Sequence, residues 1–362
     1  MLLLVALCSA ASGSERASLL LEAQLRASSS VRAAFTATVA SPSPRPMRLA
    51  CCLAAEETAA EDDALHLIVA NVAAQVEDLA NAARQRMALS TLLGTDNSAS
   101  DAASTATAVS TTLFGSCGPG TRDDEGCEGF FRGSSPDDYY DPRNSFIDCV
   151  LARRVGIPIT LSLLYCEVCE SLGLPMVGLN APRHLLLAPA DPALSFVVDP
   201  FAGGRVMSDA EASMLIAQNA GSVSFNPRAD SDPAGALLLQ QLRAAPMDAH
   251  TWSARMLRNL RAIHASSGDV VRLAGAAERL RLISARCPLA SPPQEAVACS
   301  VQLASCIYAL RWEARRDEAR ALLEDSLATP SNGVLQLAPE VRGRVVEMLN
   351  EEWFRAVGDV QA

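Results

Sequence analysis

The chain has 362 residues, 49% of them hydrophobic, and a formal net charge of −11, with all 30 basic residues arginine. That length predicts about two domains with sizeable cores, and no run approaches the ~18–20 uninterrupted apolar residues of a membrane span. The acidic balance argues against nucleic acid as a partner, because phosphate neutralisation needs a basic face, and the lack of lysine leaves no side-chain amine for isopeptide chemistry.

The first residues differ in composition from the rest. Residues 1–10 (MLLLVALCSA) are a short apolar run, and up to Arg48 the chain carries Arg16, Arg26, Arg32, Arg45 and Arg48 against only Glu15 and Glu22. An Arg/Ser-rich, acid-poor stretch has the composition of a transit peptide, and the apolar leader before it is similar to the two-part plastid signals of algae with secondary plastids. Residues 1–55 are therefore set apart as a targeting or disordered extension, with import into an organelle, plastid first, as the expectation. The alternative is a cytoplasmic protein with an N-terminal extension. Cleavage is expected between about Arg48 and Asp63.

Residues 56–225 read as the first domain. Within 63–90, Leu65, Ile68, Val69, Val72, Val76, Leu79 and Ala83 recur at helical spacing, an amphipathic helix in which His66 is expected to be partly buried. Residues 91–110 are rich in Ser, Thr, Ala and Asp without periodicity and read as a flexible insertion or a frayed loop. Residues 114–142 hold glycines, Cys117, Cys127 and an acidic cluster with no calcium-loop spacing, so a solvated loop is expected.

The most legible stretch is 144–205. Phe146, Ile147, Val150 and Leu151 mark a helix closed by Gly156. Pro158 suits the first position of a second helix, whose residues Ile159, Leu161, Leu163, Leu164, Val168 and Leu172 are too apolar for a surface element and predict burial. Three short apolar runs follow, 176–179, 185–187 and 196–198, and read as strands. A buried helix followed by an antiparallel sheet is an α+β core.

The order helix, G-I-P-I-T-L-S, helix ending G-L-P, then P-x-H, then V-D-P-F-x-G-G resembles the SirB family, a transglutaminase-like core followed by tetratricopeptide-like helices. The resemblance covers roughly residues 61–330. It implies a papain-like α+β arrangement, a central helix on a small antiparallel sheet. It further implies a catalytic Cys at the start of that helix, a His at the start of one strand and an Asp at the end of the next. His184 and Asp199 match the last two, while the nucleophile position falls at Pro158. Phe131 to Pro142 carry the family's F-x-G-x-x-Y-x-D-P in altered form. Arg183 stands where the family's P-G-H-F has glycine, and Leu185 where it has Phe. The remnants His184 and Asp199 thus have no partner of the expected chemistry. Ser162, Cys166, Thr160 and Cys149 all fall away from the nucleophile position.

Eleven cysteines, an odd count at irregular spacing, do not describe a disulfide framework. Cys166-x-x-Cys169 lies mid-helix, away from the helix N-terminus that would lower a thiol pKa, so buried core thiols are expected ahead of a metal or redox pair. No cofactor or metal is expected. Ser208 to Glu211 form a capping-box pattern, and the turn-rich 226–233 read as a domain boundary. Helical patterns then fill 234–357 (234–244, 248–266, 269–286, 293–311, 313–328 and 338–357), an all-α second domain. Its residues Leu257, Leu260, Ile263, Leu273 and Leu280 are expected in the core. Arg255, Arg258 and Arg261 are expected as a solvated or partner-facing stripe, and His250 and His264 at the surface. The stretch 255–288 resembles the family's helical repeats, without a strict period of about 34.

Two function classes follow. The first is a non-catalytic transglutaminase-like protein that binds a protein partner through its helical half. The second is a thiol- or hydroxyl-dependent hydrolase or acyl-transfer enzyme using a displaced nucleophile with His184 and Asp199.

Overall fold

The computed structural model describes residues 29–57, 63–92, 101–115, 129–221, 232–328 and 337–354. The apolar leader, Cys117, Cys127, the acidic cluster at Asp123 to Glu125 and most of 226–233 lie outside the described residues. Contacts divide the chain into two compact units, one of residues 45–58 and 63–252, the other of residues 1–44, 59–62 and 253–362. No helix among the described residues is long and apolar enough to cross a membrane.

The first unit is an α+β core. Its helices are α2 (Pro46–Glu57), α3 (Ala64–Leu92), α4 (Asp101–Phe114), α5 (Ile147–Arg153), α6 (Pro158–Ser171), α7 (Asp209–Ala220) and α8 (Pro233–Ala244). A parallel pair of very short strands, β1 (Arg132–Gly133) and β2 (Val155–Gly156), brings the ends of two loops together. The main sheet is antiparallel in the order β3 (Met176–Leu179), β4 (Leu186–Pro189), β5 (Phe196–Asp199), β6 (Arg205–Ser208).

Helix α6 is the spine. Ile159, Leu161, Leu163, Leu164, Tyr165, Val168 and Cys169 are all buried, as an all-round apolar sequence requires. It packs against α3, α4, β3 and β4, and against the short 3-10 turn Pro200–Ala202 that follows β5. Leu186, Ala188, Val197 and Met207 form one cluster with Ala212 and Ile216 of α7 and Leu239 of α8. Their strand neighbours Leu187 and Val198 are equally buried, so both faces of the sheet are covered.

Strand β6 was not expected. Its pairing with β5, from Phe196↔Ser208 to Asp199↔Arg205, fixes the turn that carries Asp199. The flexible insertion expected at 91–110 is corrected. Residues from Asp101 form α4, in which Thr105, Ala106, Val109 and Ser110 are buried. Tertiary contacts hold this polar helix: Tyr165 Oη of α6 donates to Ala106 O at 2.7 Å, and Ser110 Oγ donates to Gly204 O at 2.6 Å. Its threonines return their hydroxyls to the helix, as in Thr111 Oγ1 to Thr107 O at 2.9 Å.

The exclusion of residues 1–55 from the fold is corrected as well. In α2, Leu49, Ala50, Cys51, Cys52, Leu53, Ala54 and Ala55 are buried, and α2 packs on α3. The division of the chain also falls later than the turn-rich segment, at Trp252 and Ser253, because α8 belongs to the first unit. A Cβ on Gly235 would lie 2.0 Å from Ser213 O of α7, an approach only glycine allows. Arg243 ties the end of α8 to the sheet through Leu194 O, Phe196 O and Asp209 Oδ1.

The second unit is all-α. It comprises α1 (Ser29–Ala40), α9 (Ala249–Ser267, from Ser253 onward), α10 (Val270–Arg286), α11 (Pro293–Ala309), α12 (Arg316–Ala328) and α13 (Pro339–Leu349). From α10 to α13 successive helices pack on each other, and α1 lays Val31, Phe35 and Val39, spaced by one turn, against α10. Leu257, Leu260, Ile263, Leu273 and Leu280 are buried as expected. Two expectations fail here. His264 is 4% exposed, its charged form disfavoured by burial. Arg258 faces Glu295, with contacts of 2.6–3.1 Å, instead of an external partner. In the first unit, His66 is exposed where partial burial was expected.

Candidate functional site

The resemblance assigns the site to three segments. The first is the start of α6. Ile157 is extended, Pro158 occupies the first helical position, and no side chain of Ile157 caps the helix. The orphan donor is met by Thr160, whose Oγ1 accepts from Ile157 N at 3.2 Å and donates to Asn144 O at 2.8 Å. Asn144 is itself fully buried: Nδ2 donates to Asp138 O at 2.7 Å and Oδ1 accepts from Arg153 Nη1 at 3.0 Å. The Thr160 hydroxyl and the Asn144 amide at the opening of the central helix are therefore spent on structure.

The second loop precedes β4. Ala181 O accepts from His184 N at 3.1 Å, and Arg183 takes a left-handed conformation with φ 55°. This is the residue that stands where the resembled family has glycine, and the conformation supplies the reason for that glycine.

The third is the turn after β5. Asp199 Oδ1 accepts from Phe201 N and Ala202 N, both at 3.1 Å, and caps the 3-10 turn. Its second oxygen, Oδ2, meets His184 Nε2 at 2.6 Å. Gly133 of β1 is pressed against this turn, since a Cβ there would lie 2.6 Å from the Phe201 ring. The Asp199 side chain is 6% exposed and that of His184 19%, so the carboxylate is enclosed while the imidazole is partly exposed. With Nε2 held by Asp199, Nδ1 is the ring nitrogen left open, and among the described residues nothing hydrogen-bonds to it. The sequence pointed to these two residues, and their side chains lie within hydrogen-bond reach. Sequence reasoning missed Thr160 as the cap and Asn144 as its anchor, although T-x-S after G-I-P was in view.

The candidate nucleophiles do not join the pair. Ser162 Oγ is buried and makes no hydrogen bond. Thr160 Oγ1 is committed to the cap. Burial, with Asp148 beside it, pushes the Cys149 thiol up to about 11. Burial likewise raises Cys166 and Cys169, which are free thiols. A thiol held protonated near neutrality is a poor nucleophile and a poor metal ligand; Cys169 is buried as expected, while Cys166 is only partly buried.

Known proteins extend the comparison. The family model described as "Transglutaminase-like superfamily" matches residues 70–258. A protein named UPF0162 protein from Xylella fastidiosa is 34% identical over 217 residues, covering 59% of this chain and 68% of that relative. A second Xylella fastidiosa protein of that name is 37% identical over 145 residues, 40% of this chain and 48% of its own length. F-box only protein 21 of Mus musculus is 38% identical over 90 residues, 23% of this chain and 14% of that protein. No solved structure matches.

Proposed function

Because this chain belongs to the transglutaminase-like superfamily, whose family model covers residues 70–258, we propose that it is a non-catalytic member whose helical C-terminal half binds a protein partner. One observation carries the reading. The position from which a nucleophile would act is Pro158, and the next polar side chain, Thr160, is consumed in capping the helix that Pro158 opens. Proline offers neither a nucleophilic atom nor an N–H for a developing oxyanion. The His184–Asp199 pair then acts as a strut between the loop before β4 and the turn after β5.

The helical half suits interaction. Helices α10, α11 and α12 follow one another with short links and mutual packing, the arrangement of helical repeats. The acidic balance of the whole chain disfavours nucleic acid as the partner. Targeting, in this reading, is confined to residues 1–28, because cleavage between Arg48 and Asp63 would remove the buried face of α2. Bacterial relatives favour a core role not tied to an organelle.

A second reading keeps one support: the His184 side chain is 19% exposed and Asp199 occupies only its Nε2, as in a general base oriented by a carboxylate. Labelling of the full chain with thiol- and hydroxyl-directed activity probes separates the two. The non-catalytic reading expects no labelling that depends on His184. A single labelled residue in the first unit, lost in His184→Ala, would replace it with the displaced-nucleophile enzyme.

A further inference from the structure

Away from this site, in the all-α unit, α1 and α10 enclose a half-open cavity of about 300 Å³ whose walls include Arg32, Phe35, Glu278, Arg279, Arg281 and Leu282. Most of its charges are paired. Arg32 forms an ion pair with Glu278. Glu278 also accepts from Arg315 Nη2 at 2.7 Å, and Arg315 grips Glu318 through Nε and Nη2, both at 2.6 Å. The Arg279 guanidinium lies over the Phe35 ring, 5.7 Å from its centroid. Arg281 differs. Its Nε donates to Ser300 Oγ at 2.9 Å, and among the described residues no carboxylate forms an ion pair with it.

The cavity is thus lined by guanidinium groups whose charge the neighbouring acids only partly offset, in a chain whose net charge is −11. The acids acting on this region are Glu278, Glu318 and Asp325, with Glu318 acting on both Arg32 and Arg281 and Asp325 on Arg281. Burial still disfavours the charged forms of Arg32 and Arg281, and Arg315 adds repulsion at Arg32. A ligand anion would relieve that repulsion. Guanidinium forks suit planar or tetrahedral oxyanions, which they can meet with two parallel hydrogen bonds. Phe35 and Leu282 give the same space an apolar wall.

We propose that the cavity between α1 and α10 binds a small molecule bearing a phosphate or carboxylate group, held by Arg281 and Arg32, with an apolar remainder against Phe35 and Leu282. The site is independent of the His184–Asp199 pair. It also gives α1 a role beyond packing, since Arg32 and Phe35 are both contributed by that helix.

The test uses the full chain in isothermal titration and thermal unfolding, with inorganic phosphate and succinate as separate ligands and chloride at matched ionic strength as control. At least one ligand is expected to bind saturably and raise the unfolding midpoint. Binding by phosphate alone assigns a phosphate-bearing ligand, and binding by succinate alone a carboxylate-bearing one. Arg281→Gln should weaken the affinity by about tenfold or more, as expected on losing a charged hydrogen bond. Ala33→Leu, at an exposed position on the cavity wall, should block binding without removing a charge. No saturable binding beyond chloride would overturn the proposal, as would affinity unchanged in both variants.

Discussion

Arg183 takes the left-handed conformation, φ 55°, and the next residue, His184, places Nε2 2.6 Å from Asp199 Oδ2. A side chain in that conformation crowds its own carbonyl, at about 1–2 kcal/mol. Glycine meets no such crowding, though it loses more chain entropy on folding. Arg183→Gly should therefore raise stability by about 0.5–1 kcal/mol and leave the His184–Asp199 contact in place. Chemical denaturation checks this. A loss of stability would mean that the arginine side chain contributes more than its backbone strain removes.

Gly235 bears on the boundary of the first unit. With Ser213 O only 2.0 Å from a prospective Cβ, α8 cannot keep its approach to α7 once a methyl is added. Gly235→Ala should cost about 3 kcal/mol, the upper part of the usual overpacking range. The unfolding midpoint reads it directly. A cost under about 1 kcal/mol would show that α8 is not packed where the division of the chain places it.

Much of the core was legible because its signals are local. The spine α6 is announced by a run that is apolar on every face, bounded by Pro158 and Gly173. The helices α10, α11 and α12 are announced by periodic leucines and alanines between proline and acidic punctuation. His184 and Asp199 came through the family resemblance, from the P-x-H and V-D-P-F segments in which they stand. What was missed depends on partners distant in the chain. Helix α4 has too many threonines and serines to show a stripe, and it is held by Tyr165 from α6. Strand β6 is four residues with two exposed, too short to read as a strand without β5 beside it. In α1 the Val31, Phe35, Val39 spacing was present, but an Arg/Ser-rich composition drew the eye to import instead. The cavity could not be read at all, since Arg32 and Arg281 meet only in the folded chain.

Cys149 tests the account of the cysteines. Its thiol is pushed up to about 11, against about 8.5 for an ordinary thiol. Its alkylation at pH 7.5 should run on the order of a hundredfold slower than in the urea-unfolded chain, and rise about tenfold per pH unit toward pH 10. The linkage has a definite sign. A raised folded pKa means stability fully present below the ordinary thiol value, and lost as pH climbs from there toward about 11. Peptide mapping after iodoacetamide gives the rate at this residue. Equal rates in folded and unfolded chains at neutral pH would contradict the burial of this thiol.

The N-terminus of the native protein follows from α1 and α2. Phe35 is 1% exposed and Leu49 fully buried, so a mature chain should begin before Ser29. Terminal sequencing of material from its own cells decides it. A start between Arg48 and Asp63 would restore the longer targeting segment that composition suggested, and would show that α2 is not needed by the core.

The central claim is that the transglutaminase-like core has a base and its orienting carboxylate but no nucleophile. The most direct measurement is amide hydrolysis and amine transfer by the full chain across glutamine-amide, ester and thioester substrates, in parallel with His184→Ala. The account predicts rates indistinguishable from buffer for both proteins, with His184→Ala losing only about 1 kcal/mol of stability, as for an ordinary hydrogen bond. Turnover by the native chain that vanishes in a folded His184→Ala would contradict it.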